Sequence, residues 1–205
     1  MRRIRLFIAA FVGLFASGAL AAPSEEAKLD DFAQRMFVTT SFDQKASACF
    51  MRSYDAAHLA RHRRQTVRSM KMLVSAEKLT DDGQLSYSYE LDVRFRNRRG
   101  DYASRFQCGR AHLADLKGTR VQVRCHDGCE GGDGVVIALA PDSKAILVKV
   151  DSVSVWLADK PEDMDAHFEF QGGPDNHVFR LERVDLAQCK PLIRDGSEVA
   201  ASRPE

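Results

Sequence analysis

The sequence predicts a mainly β protein: an antiparallel barrel or sandwich of about eight strands, with one or two short N-terminal helices. Three observations lead there. Apolar and polar residues alternate with period two from Thr66 onward, the pattern of a strand with one buried face. Gly, Pro and Asp turn signals break this alternation into short runs. Helical spacing is confined to the residues before Thr66.

The first element is a targeting segment. Arg2, Arg3 and Arg5 form a positive n-region, residues 6–15 an apolar stretch, and Ala19, Leu20 and Ala21 a small-residue cleavage site. Residues 1–21 are therefore expected to be a cleavable signal peptide, with a mature protein that is periplasmic or secreted. The apolar run is short for a bilayer and no second one follows, so the cleaved chain is not expected to span a membrane. The absence of a cysteine directly after the cleavage site argues against a lipid-anchored form.

Residues 22–65 are expected to form an N-terminal helical segment packed on the β domain. Ser24 suits an N-cap, Glu25 and Glu26 the first turn, and Leu29, Phe32, Ala33 and Met36 recur on one face. Asp55 can cap a second short helix reaching Arg64, whose basic end suits the helix dipole.

The β domain is expected over residues 66–194. Met70, Met72 and Val74 alternate with polar neighbours, as do Tyr87, Tyr89, Leu91, Val93 and Phe95, with Asp81-Asp82-Gly83 as the turn between them. Further strands are expected at residues 102–109, 120–125, 135–140, 145–157, 167–171 and 178–186, and a disordered tail at 195–205. A small outer-membrane barrel shows the same period. The polar tail, the aromatic content of 8% and the five cysteines favour a soluble sheet.

Removing residues 1–21 from 205 leaves 184, the size of one domain or two small ones. The loss of three arginines lowers Lys+Arg from 30 to 27 against 29 acids, a formal charge of −2. That near-neutral total argues against a dedicated nucleic-acid binder. Cys49, Cys108, Cys125, Cys129 and Cys189 remain, and in an oxidising compartment two disulfides with one leftover thiol are expected. If Asp115–Gly118 is a four-residue turn, Cys108 faces Cys125 across a hairpin, the preferred bridge. Cys129 with Cys189 is the expected second, with Cys49–Cys189 nearly as well placed.

The run Cys125-His126-Asp127-Gly128-Cys129 and the His58-x3-His62 pair carry zinc-type ligands. Their spacing fits neither a zinc ribbon nor a c-type haem site, so no metal or cofactor is expected. The acids at 127–133 and 159–165 do not match a calcium loop and read as solvated turns. No G-x-S-x-G elbow, H-E-x-x-H helix or phosphate-cradling glycine loop occurs, and no catalytic residue is assigned.

One constellation stands out. Pairing Val74 with Tyr89 places Met72 opposite Leu91 and Lys71 opposite Asp92. Continuing that register places Val67 opposite Arg96 and Arg64 opposite Arg99. Arg61, Arg63, Arg64 and Arg68 then meet Arg94, Arg96, Arg98 and Arg99 at one end of the sheet. Arginine forks suit phosphate and carboxylate. The expected function is a non-catalytic binding or accessory role in the cell envelope. Its partner would be anionic lipid, lipopolysaccharide or an acidic envelope protein. The same charges also suit a plain solvated sheet edge. Two alternatives are a lipocalin-like carrier of a small apolar ligand, lined by Met70, Met72, Tyr87, Tyr89, Phe95 and Phe106, and an envelope hydrolase or metal-dependent enzyme using His58, His62 or His126.

Overall fold

The computed structural model describes residues 23–79, 83–113, 120–126, 134–173 and 177–193. The expected signal peptide, the tail at 195–205 and Cys129 lie outside the described residues. Helix α1 (Glu25–Phe37) precedes β1 (Ala46–Ser53), α2 (Ala56–Arg61), β2 (Val67–Lys78) and β3 (Leu85–Phe95). Then follow β4 (Tyr102–Gly109), β5 (Ala111–Leu113), β6 (Val121–His126), β7 (Gly134–Leu139) and β8 (Ala145–Val150). Strand β9 (Ser152–Leu157), a 3₁₀ turn (Met164–Ala166), β10 (Phe168–Gln171), β11 (Val178–Val184) and a 3₁₀ segment, Leu186–Leu192, complete the described elements.

The strands form one curled, half-barrel sheet of 11, in the order β10-β9-β4-β3-β2-β1-β11-β8-β7-β6-β5. Every neighbouring pair is antiparallel. The expected class is present, with three more strands than the roughly eight read from periodicity. One addition is β1, which lies inside the segment read as helical. Its residues do not alternate because both faces are covered: Phe50 enters the main core while Cys49 enters a second, smaller one. The second is β5. The third arises because 145–157 is two strands that separate at Asp151, where Asp151 N donates to Gly134 O and Gly172 N donates to Asp151 O. Gly172 is required there, since a Cβ would sit 2.0 Å from Val150 O.

Helix α1 fills the concave side of the sheet. Ser24 caps it by accepting from Ala27 N, and its apolar face buries Phe32, Met36 and Phe37 against the sheet core, with Phe37 stacked on Tyr87 at 6.1 Å. Arg183 of β11 holds its far end. The guanidinium donates to Met36 O at 2.9 Å, Arg35 O at 3.1 Å and Ser143 O at 3.1 Å, and lies 4.8 Å from the Phe50 ring. These are carbonyls a helix end and a turn would otherwise leave unmet. Burial lowers the pKa of Arg183 from its ordinary value.

Two disulfides tie the sheet, an arrangement suited to an oxidising compartment. The Cys108–Cys125 bridge forms as expected, but not across a continuous hairpin. A register shift against β3 makes Cys108 an extra residue on β4, and Gly109, at φ +66°, bends the chain into β5. It is β5 that pairs with β6, Ala111 opposite Val123, so the bridge ties the end of β4 to β6. The second bridge corrects the expected Cys129–Cys189 pairing: Cys189 joins Cys49, with Cα atoms 5.8 Å apart. The cause is β1. Cys49 points opposite to Phe50, onto the convex side, where the 3₁₀ segment buries Cys189 against Leu73. Among the described residues no helix is long and apolar enough to cross a membrane.

Replacing Arg183 with Met should lower unfolding stability by about 2 kcal/mol, the scale of charged hydrogen bonds lost at a half-buried helix end. Urea titration reads this as a shifted midpoint, and a change below roughly 0.5 kcal/mol would remove Arg183 from its clamping role. Peptide mapping without reductant should recover the Cys49 and Cys189 peptides as one species. Removing that bridge by the paired Cys→Ala change should cost about 3–5 kcal/mol, as expected for a very long closed loop.

Candidate functional site: the arginine-rich end

The two arginine tracts do meet at one end of the sheet, in a register that differs from the expected one beyond Ser69. Val74–Tyr89, Met72–Leu91, Lys71–Asp92 and Met70–Val93 pair as the alternation requires. A register shift between Val67 and Ser69 then makes Arg68 an extra residue and sets Val67 opposite Phe95 instead of Arg96. The reason is parity. In an uninterrupted strand Arg68 would share the inward face of Met70 and Met72. The bulge turns Arg68 out and Val67 in, where Val67 is 0% and Phe95 6% exposed. Arg96 N continues the pairing by donating to Thr66 O at 2.8 Å, and the expected Arg64–Arg99 opposition does not form between strands.

Helix α2 sits over this end. Asp55 caps it by accepting from His58 N at 2.7 Å. Arg96 donates through Nη1 to Leu59 O at 3.2 Å and Gln65 O at 3.3 Å, tying helix and return loop to β3. Buried Gln65 donates to Val67 O and bonds the His58 ring. Beside it runs a ladder of rings. Arg52 lies over Tyr54 at 5.4 Å, Tyr54 is 4.7 Å from His58, and His58 stacks on His62 at 4.3 Å. Burial raises the Tyr54 pKa, with the neighbouring Arg52 opposing.

Seven of the eight expected arginines divide into two kinds. Some are spent inside the molecule: Arg94 grips Asp101 bidentately at 2.5 and 2.7 Å, Arg96 braces α2, and Arg98 lies 3.8 Å over the Phe168 ring. By contrast, Arg61, Arg63, Arg68 and Arg99 are exposed and have no partner among the described residues. Arg64 is also exposed. Sequence reasoning missed Arg52, because it lies on β1, where it pairs with Met70 at the same end of the sheet. Together residues 52–68 and 94–101 hold nine arginines (52, 61, 63, 64, 68, 94, 96, 98 and 99), no lysine, and two acids, Asp55 and Asp101.

An acidic loop bounds the cluster on the β9 side, where Ala158 N donates to Asp101 O at 2.9 Å. Its Asp159, Glu162, Asp163 and Asp165 form no ion pair with the arginines among the described residues. Beside the cluster, half-buried Asp92 has its pKa raised above the ordinary 3.8, first by desolvation and then by Asp101, with Lys71 and Arg94 opposing.

Two open grooves flank α1 elsewhere. One, of about 1000 Å³, has an apolar floor including Phe32, Val121, Leu139 and Leu147, with Lys28, Arg35 and Arg120 among its lining; the other, of about 580 Å³, includes Leu29, Phe42 and Tyr87. Neither includes an arginine of the cluster. Met70, Met72, Tyr87, Tyr89 and Phe95 are buried core residues, and Tyr89 and Ser104 share a hydrogen bond at 3.2 Å. Among the described residues no three His, Cys, Asp or Glu side chains are placed to hold a metal. His58 and His62 stack face to face instead of converging, and Cys125 is consumed in a disulfide.

The raised Asp92 pKa sets a sign. The folded state holds this proton more tightly than the unfolded chain, so the group favours folding in acid and loses that contribution as pH rises through its folded pKa. Asp92→Asn should therefore melt higher than the wild type near neutral pH, with the advantage vanishing below the ordinary value of 3.8. Paired thermal melts at pH 7 and pH 3 check this; an equal advantage at both would show that charge burial is not the cause.

No family model, curated protein or solved structure matches the chain.

Proposed function

We propose that the protein is a secreted, non-catalytic binding or accessory component of the cell envelope, docking on an anionic partner through its arginine-rich end. The observation that carries this reading is the concentration of nine arginines in two short tracts of a chain whose expected mature charge is −2. The fold supports it by dividing the labour: Arg94, Arg96 and Arg98 shape the platform, while Arg61, Arg63, Arg68 and Arg99 are exposed and without partners among the described residues. Such an asymmetry steers the molecule and orients it on a negative surface. The acidic loop at 159–165 borders the arginine-rich end on the β9 side.

A second reading, a carrier of a small apolar ligand, draws on the groove of about 1000 Å³ beside α1. The concave side itself is occupied by Phe32, Met36 and Phe37, so a ligand would enter at the groove.

Charge reversal tests the first reading. The variant Arg61→Glu, Arg63→Glu, Arg68→Glu and Arg99→Glu leaves the bracing arginines intact and should keep the wild-type circular dichroism. Its binding to anionic vesicles or lipopolysaccharide should fall at least about tenfold, given that each basic residue near such a surface contributes on the order of 1 kcal/mol. Wild-type binding should also weaken steeply with salt. Unchanged binding in the variant, or none in the wild type, would sink the proposal.

A further inference from the structure

We infer that the surface this end meets is a membrane displaying phosphate monoesters, an inference that rests on the docking role just proposed. The first argument is chemical. Every cation in the two tracts is arginine, and none is lysine. For diffuse attraction to a negative surface the two residues are nearly equivalent, since both supply one charge. They differ where an oxyanion is gripped: guanidinium presents two parallel N–H donors in a fixed plane, whereas ammonium is a point charge. A phosphate monoester carries nearly two charges and three terminal oxygens, so more than one fork can close on it. A phosphodiester or a carboxylate offers two oxygens and one charge.

The second argument is geometric. Arg61 and Arg63 lie at the end of α2 and just beyond it, Arg68 on the bulge of β2, and Arg99 on the turn after β3. Four separate backbone positions thus carry exposed guanidinium groups, and the two grooves beside α1 include none of them. An open array of this kind fits a plane of headgroups better than a single dissolved ion, which needs enclosure to displace its water. The platform is rigid where it must be: the Asp55 cap, the buried Gln65 bonds and the Arg96 brace fix α2 on the sheet before any partner arrives.

The inference separates from simple electrostatics by an exchange that keeps charge and removes the fork. Phosphatidylcholine vesicles carrying either phosphatidic acid or phosphatidylglycerol, matched in zeta potential, are co-sedimented with the full mature protein. The wild type should bind the phosphatidic acid vesicles about tenfold more tightly. The variant Arg61→Lys, Arg63→Lys, Arg68→Lys and Arg99→Lys should bind phosphatidylglycerol vesicles within about twofold of the wild type while losing most of the preference. Equal binding to both vesicles by wild type and lysine variant would overturn the monoester inference and leave docking standing. No binding to either vesicle would overturn the inference; if lipopolysaccharide and polyglutamate also fail to bind, docking falls with it. Saturable binding of inorganic phosphate with no binding to phosphatidic acid vesicles would reassign the site to a free ion, and binding to polyglutamate in place of vesicles would reassign it to an acidic protein; either outcome defeats the membrane reading.

Discussion

A curled sheet has an inner face that must be covered, and here one helix covers it. Phe32, Met36 and Phe37 of α1 lie at 4%, 0% and 8% exposure in the same core as Phe50, Tyr87 and Phe179. Each such side chain contributes about 1.5–3 kcal/mol on full burial, and together they offset the cost of ordering a short helix that would be marginal alone. The seat is directional because Arg183 reaches from β11 to the last carbonyls of α1 and to the turn at Ser143. With its concave side filled this way, the molecule presents its distinctive chemistry at the strand ends.

The sheet is built around β1, which pairs with β2 on one side and β11 on the other. That position joins the N-terminal third of the chain to its last strand. The Cys49–Cys189 bridge reinforces the join across 140 residues, and the 3₁₀ segment it holds covers Leu73 on the convex side. The Cys108–Cys125 bridge acts locally, at the bend where β4 passes into β5. One bridge thus constrains the whole topology and the other a single corner.

At the arginine-rich end the same residues serve folding and surface chemistry. The bulge at Arg68 exists because Val67 belongs inside, and its by-product is an outward guanidinium. Arg96 fixes α2, whose end carries Arg61, and Asp101 neutralises Arg94 beside the half-buried Asp92. The exposed charges therefore stand on a framework made partly of their own neighbours.

The class of fold was legible from period and punctuation alone, since alternation over β2 and β3 dictates which residues face the core. The hairpin pairs from Val74–Tyr89 to Met70–Val93 follow from that parity, as does the meeting of the two arginine tracts. Helix α1 was legible from Ser24 and the spacing of its apolar face. Strand β1 was not, because a strand covered on both sides carries no alternation, and with it were lost Arg52 and the partner of Cys189. Which arginines brace the framework was equally out of reach. Composition determines how many charges a chain carries. Which of them meet a carbonyl, a carboxylate or a ring is settled by contacts between distant segments, and those exist only in the folded molecule.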